Sequence, residues 1–403
     1  MAGHLAMNHA IIAWARGNGH QVTVLLVRPR LRAIIERYGE AEVAGIRICS
    51  WRGYVFAKGP GIAAGILARA LLTAVPALSM LRKPLRMRHY GSADTVLGAF
   101  ATPEQSAWCA EKLLKLAPDA VFADTIFRAP VLLEPRLARV RRVIIAHDLF
   151  HLRHRALRSA GYSVFPAELP KETEAKLLNA ADSIVAIQPE EAAIIREMCP
   201  ERSVCTAPMP ALPCPRPGKT ARIPGRLVFV GSATLPNLDG LRWLFAEIWP
   251  ALRQQVPEVT LDLAGDCGAA FPRLPKGVTR LGRIENLSPV LHRSALAISP
   301  LRIGSGLKIK MLDYARHGLV TVASVESLRG FAADAHAPFV AAGDAASFAA
   351  AVAAKLRNSD AEDEERALAY VTRHYDLNSS FSGLAAALGM AAAAGVARPA
   401  APA

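Results

Sequence analysis

A chain of 403 residues exceeds what one hydrophobic core usually organises, and a composition 52% apolar and 20% charged excludes a disordered or fibrous protein. Six cysteines, Cys49, Cys109, Cys199, Cys205, Cys214 and Cys267, stand without a CxxC pair or a Cys/His spacing that builds a zinc site, so they read as reduced, mostly buried thiols. The net charge of +14 is uneven, with 29 Lys and Arg against 18 Asp and Glu in residues 1–220 but 19 against 16 in residues 221–403, so the first half either faces an anionic partner or is simply a solubilising basic surface.

The chain opens on a helix, Leu5 to Arg16, stopped by Gly17 and Gly19 and followed by an apolar strand, Val22 to Val27. No basic stretch with an apolar run and cleavage site signals export, so the expected location is cytoplasmic. A doubly wound domain begins with a strand ahead of its first helix. Either that strand is absent or translation starts upstream of Met1, and the second reading is preferred.

Residues 61–81 are apolar, but Arg69 and Pro76 interrupt them, which argues against a transmembrane helix. The basic run 82–90 that follows alternates with apolar residues, as in segments that lie on anionic membranes; a core helix with a solvated basic end is the plainer alternative. Helices are then predicted at 106–116, 130–136, 170–179 and 189–198, with strands at 120–123, 143–146 and 183–187. Six prolines in 208–224 mark an interdomain linker. Beyond it come strands at 227–230, 260–264, 278–281 and 296–300 and helices at 238–254 and 287–293. This divides the chain into an N-terminal domain, 1–215, a C-terminal domain, 222–378, and a closing helix with an Ala/Pro-rich tail, 379–403.

Residues 297–324 read as strand, glycine loop, helix, glycine stop and strand. Gly304 and Gly306 allow close backbone approach to a ligand, and the amides at the next helix N-terminus suit a diphosphate, with Lys308 and Lys310 adding positive charge. Asp313, two turns into the helix, is placed to accept ribose hydroxyls; alternatively Lys310 and Asp313 form an ordinary surface ion pair.

This stretch resembles the nucleotide-binding element of retaining GT-B glycosyltransferases of family 4, the glycosyl transferases group 1. Phe229 to Ser232 and Pro236 to Leu244 resemble the family's first donor-domain strand and helix, and His147-Asp148 with Glu190-Glu191 resembles its acceptor domain. The resemblance implies two Rossmann-like domains facing a cleft, with a nucleotide sugar held by Gly231, Arg283, Arg302, Gly304, Ser305, Gly306, Lys308, Lys310 and Asp313. Asp313 matches the family's second glutamate, which holds the ribose, while Ser305 replaces the first. The family's Arg and Lys after the first donor strand are missing at Ser232 to Thr234, so Lys308, Lys310 or Arg302 must supply that charge. His147 matches a histidine that lies over the sugar, and Gly3-His4 corresponds to a glycine loop that covers the diphosphate.

The implied activity is metal-independent hexosyl transfer to a glycan or lipid-linked acceptor in polysaccharide biosynthesis. No cofactor is expected, and an anionic membrane surface is a candidate partner. A non-catalytic relative that binds the nucleotide sugar or a partner is the main alternative, followed by a nucleotide-sugar epimerase. Nucleic-acid binding ranks last, since no module for it is recognisable and aromatic residues are only 6% of the chain.

Overall fold

The computed structural model describes residues 3–25, 41–43, 46–51, 54–58, 100–162, 169–218, 220–304, 306–358 and 362–390. The segments 61–81 and 82–90, Leu26 and Val27, Ser305 and the tail from 391 lie outside the described residues.

Helix α1 spans Gly3–Gly17, so Gly3 and His4 belong to its first turn. The predicted strand after it makes only a single bridge, at Leu25, among the described residues. An apolar run becomes a strand only where a neighbouring strand completes its ladder. Three strands not anticipated from the sequence follow: β1 (Ala41–Val43), β2 (Ile46–Trp51) and β3 (Tyr54–Lys58) form an antiparallel meander.

Helix α2 (Pro103–Leu116) starts on a capping box in which Thr102 and Gln105 satisfy each other's amides. Strand β4 (Ala120–Ala123) leads to a broken connection in which α3 is one turn, Ala129–Leu132. The helix predicted over 130–136 is cut because Pro135 cannot continue it. Next come β5 (Arg141–Ala146), α4 (Phe150–Ser159), α5 (Lys171–Leu178), β6 (Ser183–Ala186), α6 (Pro189–Met198) and β7 (Ser203–Thr206). These strands form a parallel sheet in the order β4-β5-β6-β7. Both of its faces are covered: Ile144 and Ala146 enter one buried cluster, Val143 and Ile145 the other.

The second domain runs β8 (Ile223–Val230), α7 (Leu235–Trp243), α8 (Trp249–Gln255), β9 (Thr260–Ala264), β10 (Val278–Gly282), α9 (Ser288–Arg293), β11 (Ser294–Ser299), α10 (Ile309–Arg316), β12 (Thr321–Ser324), α11 (Val325–Leu328), β13 (Phe339–Ala342) and α12 (Ala345–Arg357). Its six strands are parallel in the order β10-β9-β8-β11-β12-β13. Renumbered from β8 this is the 3-2-1-4-5-6 order of a doubly wound sheet, whose switch point falls between β8 and β11.

Helices α13 (Asp363–His374) and α14 (Leu377–Leu388) close the described chain. Helix α14 returns to the first sheet: Phe381 and Leu384 are buried with Val143, Ile145 and Val185, and Trp14 of α1 meets Phe381 edge-on at 5.3 Å. Leu307, Leu312 and Ala315 join that same cluster, so one apolar core crosses from the first domain into α10.

Candidate active site

The order of the second sheet fixes where a ligand can reach the backbone. In a doubly wound sheet ligands bind outside the carboxyl ends of the strands at the switch point, here where the chain leaves β8 and β11. Gly231 follows β8, and Gly304 and Gly306 follow β11, so three sequence-predicted positions lie at that switch point.

Below it, Lys310 donates to Asn237 Oδ1 at 2.6 Å and lies over the Phe229 ring at 3.9 Å. The same Asn237 donates to the Ser232 carbonyl at 2.9 Å, which ties α10 to the turn after β8. Surrounding protein pushes the Lys310 ammonium down to about 7, with neighbouring Lys308 adding to the shift. Asp313 does not pair with Lys310. Its carboxylate lies 3.8 Å from Arg316, and although a third of the side chain reaches solvent, the packing around it pushes its pKa up.

The other predicted cations have partners. Lys308 is buried and donates to Glu326 at 3.1 Å. Arg302 makes a two-pronged contact with Asp239, at 3.1 and 2.9 Å, and stacks over Trp243. Asp239 also accepts from Tyr162 of the first domain at 2.7 Å. Arg283 is exposed and donates to Asp266 at 2.7 Å, while the other oxygen of Asp266 accepts the Ala233 amide. Arg302 and Arg283 therefore stand at the flanks, Lys308 and Lys310 under the loop.

The first domain meets this switch point through the ends of β5 and β6. His147 and Asp148 follow β5, and their loop is held by what comes next: Glu174, fully buried, accepts the amides of Phe150 and His151 at 2.8 and 3.0 Å and pairs with His151 Nδ1 at 2.6 Å. A carboxylate at the first amides of α4 satisfies donors that the helix cannot satisfy itself. Asp148 pairs with Arg153 at 2.5 Å through one oxygen. Its other oxygen, like Glu191 Oε2 and Gln188 Oε1, is buried without a hydrogen-bond partner. Burial, and then the nearby Asp148, pushes the Glu191 carboxyl up to about 8.

The two domains touch at glycines. Gly306 has φ +66°, and a Cβ there would stand 2.7 Å from Asp148 Oδ1 and 2.9 Å from the His147 carbonyl. Gly330, at φ +84°, packs as tightly on the Gln188 side chain. Only glycine combines that backbone with so close an approach. His147, Gly306 and Lys308 are thus brought into one neighbourhood. The sequence pointed to Asp148 and Glu191 only as part of the acceptor-domain resemblance and gave neither them nor Gln188 or Glu326 a role at the site. Glu191 carried a readable signal, because with Gln188, Ala192, Ile195 and Cys199 it completes the buried stripe of α6.

Two parallel-sheet α/β domains that face each other across glycines define the GT-B fold, and solved structures bear the fold out. Those similar to this chain include a TarM variant of S. aureus in complex with fondaparinux, α-GlcNAc-glycerol and UDP (TM-score 0.56, 12% identity, 72% of this chain and 59% of that one). They also include Anabaena HepE in complex with UDP (0.52, 13%, 71% and 82%) and sucrose-phosphate synthase of Thermosynechococcus elongatus (0.51, 15%, 70% and 77%). Residues 224–358 match the family model described as glycosyl transferases group 1. A curated relative, an uncharacterised 44.6 kDa protein in the cps region of Klebsiella pneumoniae, is 24% identical over 172 residues. The match covers 39% of this chain and spans 44% of that relative's length. Among the described residues, no helix is long and apolar enough to cross a membrane.

Proposed function

We propose that the protein is a family 4 enzyme that transfers a hexosyl unit from a nucleoside-diphosphate sugar to a hydroxyl of a glycan or lipid-linked acceptor, with retention of anomeric configuration. One observation carries this reading: the glycine loop after β11 lies at the switch point of the donor sheet and faces His147 and Asp148 across the domain seam. The loop amides, the N-terminus of α10, Lys308 and Lys310 provide positive potential where a diphosphate leaving group gains charge, the kind of preorganised stabilisation that needs no metal ion. Asp313 is the ribose ligand in this reading. The unpartnered oxygens of Asp148 and Glu191 are acceptors for sugar hydroxyls, and His147 lies over the sugar. The seam is shut at Gly306, so the donor enters when the domains part.

The cps-region relative is in keeping with polysaccharide biosynthesis. The excess of basic residues in 1–220 suits a cytoplasmic enzyme working at an anionic membrane surface.

Isothermal titration with UDP, GDP and ADP tests the donor site, and the UDP named with HepE and TarM makes it the first to try. One nucleotide should bind, and Asp313→Ala should weaken it about tenfold or more, the size of a lost charge-assisted hydrogen bond. If the folded wild-type protein binds none of the three, the reading is wrong.

A further inference from the structure

Away from the switch point, three side chains suited to a borderline-soft metal converge beneath α10. Cys214 comes from the segment joining the domains, His292 from α9 and His317 from the end of α10. The Cys214 sulfur and one nitrogen of each ring lie within 4.8 Å of one another. Both histidines are buried and Cys214 is half-buried.

The hydrogen bonds define the tautomers. His292 Nε2 lies 2.9 Å from the Cys214 carbonyl oxygen. A carbonyl can only accept, so Nε2 carries the proton and Nδ1 keeps its lone pair. His317 Nδ1 lies 2.7 Å from the Asp313 carbonyl, which leaves the lone pair on Nε2, 3.0 Å from Ser288 Oγ. One ring nitrogen held on a backbone carbonyl and the other left basic is the arrangement that orients metal-bound histidines. The nearby Arg222 guanidinium does not compete for these lone pairs: it donates to the Ser294 and Gly318 carbonyls at 2.9 and 2.7 Å and pairs with Glu364.

We infer that Cys214, His292 and His317 form a site for a zinc-class divalent ion, with a water beside the Ser288 hydroxyl completing four ligands. A thiolate with two imidazoles is a donor set that zinc takes in tetrahedral geometry. Binding forms a metal–sulfur bond and releases the thiol proton to solvent. The ion would tie the interdomain segment to α9 and α10. Two hydrogen bonds carry that constraint to the donor site: Cys214 N–H donates to the Arg316 carbonyl at 2.6 Å, and His317 Nδ1–H donates to the Asp313 carbonyl at 2.7 Å. The ligands stand far apart in the chain, at 214, 292 and 317, so no local spacing in the sequence announces them.

The test uses the full chain, stripped with EDTA and titrated with Co²⁺ as a spectroscopic probe. One equivalent should bind with tetrahedral d–d bands and a thiolate-to-cobalt charge-transfer band, and Zn²⁺ should displace it. Cys214→Ser should abolish the charge-transfer band and weaken binding by more than about 100-fold, beyond what loss of an outer-shell partner costs. Cys267→Ser should leave both unchanged. Absence of cobalt binding by the folded wild-type protein overturns the proposal, as does an unaltered band in Cys214→Ser. Should that variant fail to fold, His292→Gln is measured the same way, and an unchanged cobalt spectrum there is equally fatal.

Discussion

Glu191 carries a carboxyl into the domain seam at 5% exposure, with one oxygen unpartnered and Asp148 nearby. Its pKa, raised mainly by burial to about 8, leaves it neutral at pH 7. The unfolded value is near 4.5, so the folded state binds the extra proton between those limits. Stability from this group is full below about pH 4.5 and is lost as pH rises through about 8. Glu191→Gln, neutral throughout, should therefore remove part of the fall in melting temperature of the wild type between about pH 5 and pH 8.5. Superimposable pH profiles would show that Glu191 is already ionised at neutral pH. At this scale the sequence was readable where a motif named a position: Gly304, Gly306, Lys308 and Lys310 gather around one loop. It was unreadable where partners come from afar, as with Asp239, which gathers Arg302 and Tyr162, because pairing across 63 and 77 residues leaves no local trace.

Several strands and helices were legible where an apolar run met a glycine or proline stop, as at β4, β9 and α6, since burial on both sheet faces makes those runs continuous, but β7 and β13 were not anticipated. The single helix expected over 238–254 shows what periodicity misses. It runs as α7, a π-helical turn at Leu244–Ile248 and α8. Pro250 cannot donate to the Ala246 carbonyl, and the Trp249 amide reaches back to Leu244 instead, so the register widens by one residue. Nor did the sequence reveal that α14 leaves its own domain to cover the first sheet. That docking rests on Phe381, fully buried against Trp14 and the cluster of Val143, Ile145 and Val185. Phe381→Ala should cost about 3–5 kcal/mol, the usual range for a buried phenylalanine, read from urea unfolding followed by circular dichroism. A cost under about 1 kcal/mol would mean that α14 is held elsewhere.

At the scale of the molecule, the relative placement of the two parallel sheets depends on a few close approaches, and this was the least legible level. Two domains were expected from length, but closure depends on side chains and glycines that meet only after both sheets exist. Gly330 isolates that closure from the donor loop. A methyl group there would stand 2.0 Å from Gln188 Oε1 and 3.1 Å from Gln188 Cβ, on a backbone at φ +84° that alanine disfavours. Gln188 is buried at the end of β6 and has little room to retreat. Gly330→Ala should hold the domains apart while leaving the sheet that carries Lys310 and Asp313 intact. Small-angle scattering should then give a larger radius of gyration for the variant. Nucleotide affinity should stay within about twofold, and sugar transfer should fall at least about tenfold, because only the closed form brings His147 and Asp148 to the loop. A variant as compact as the wild type and equally active would show that the Gly330–Gln188 contact does not govern closure.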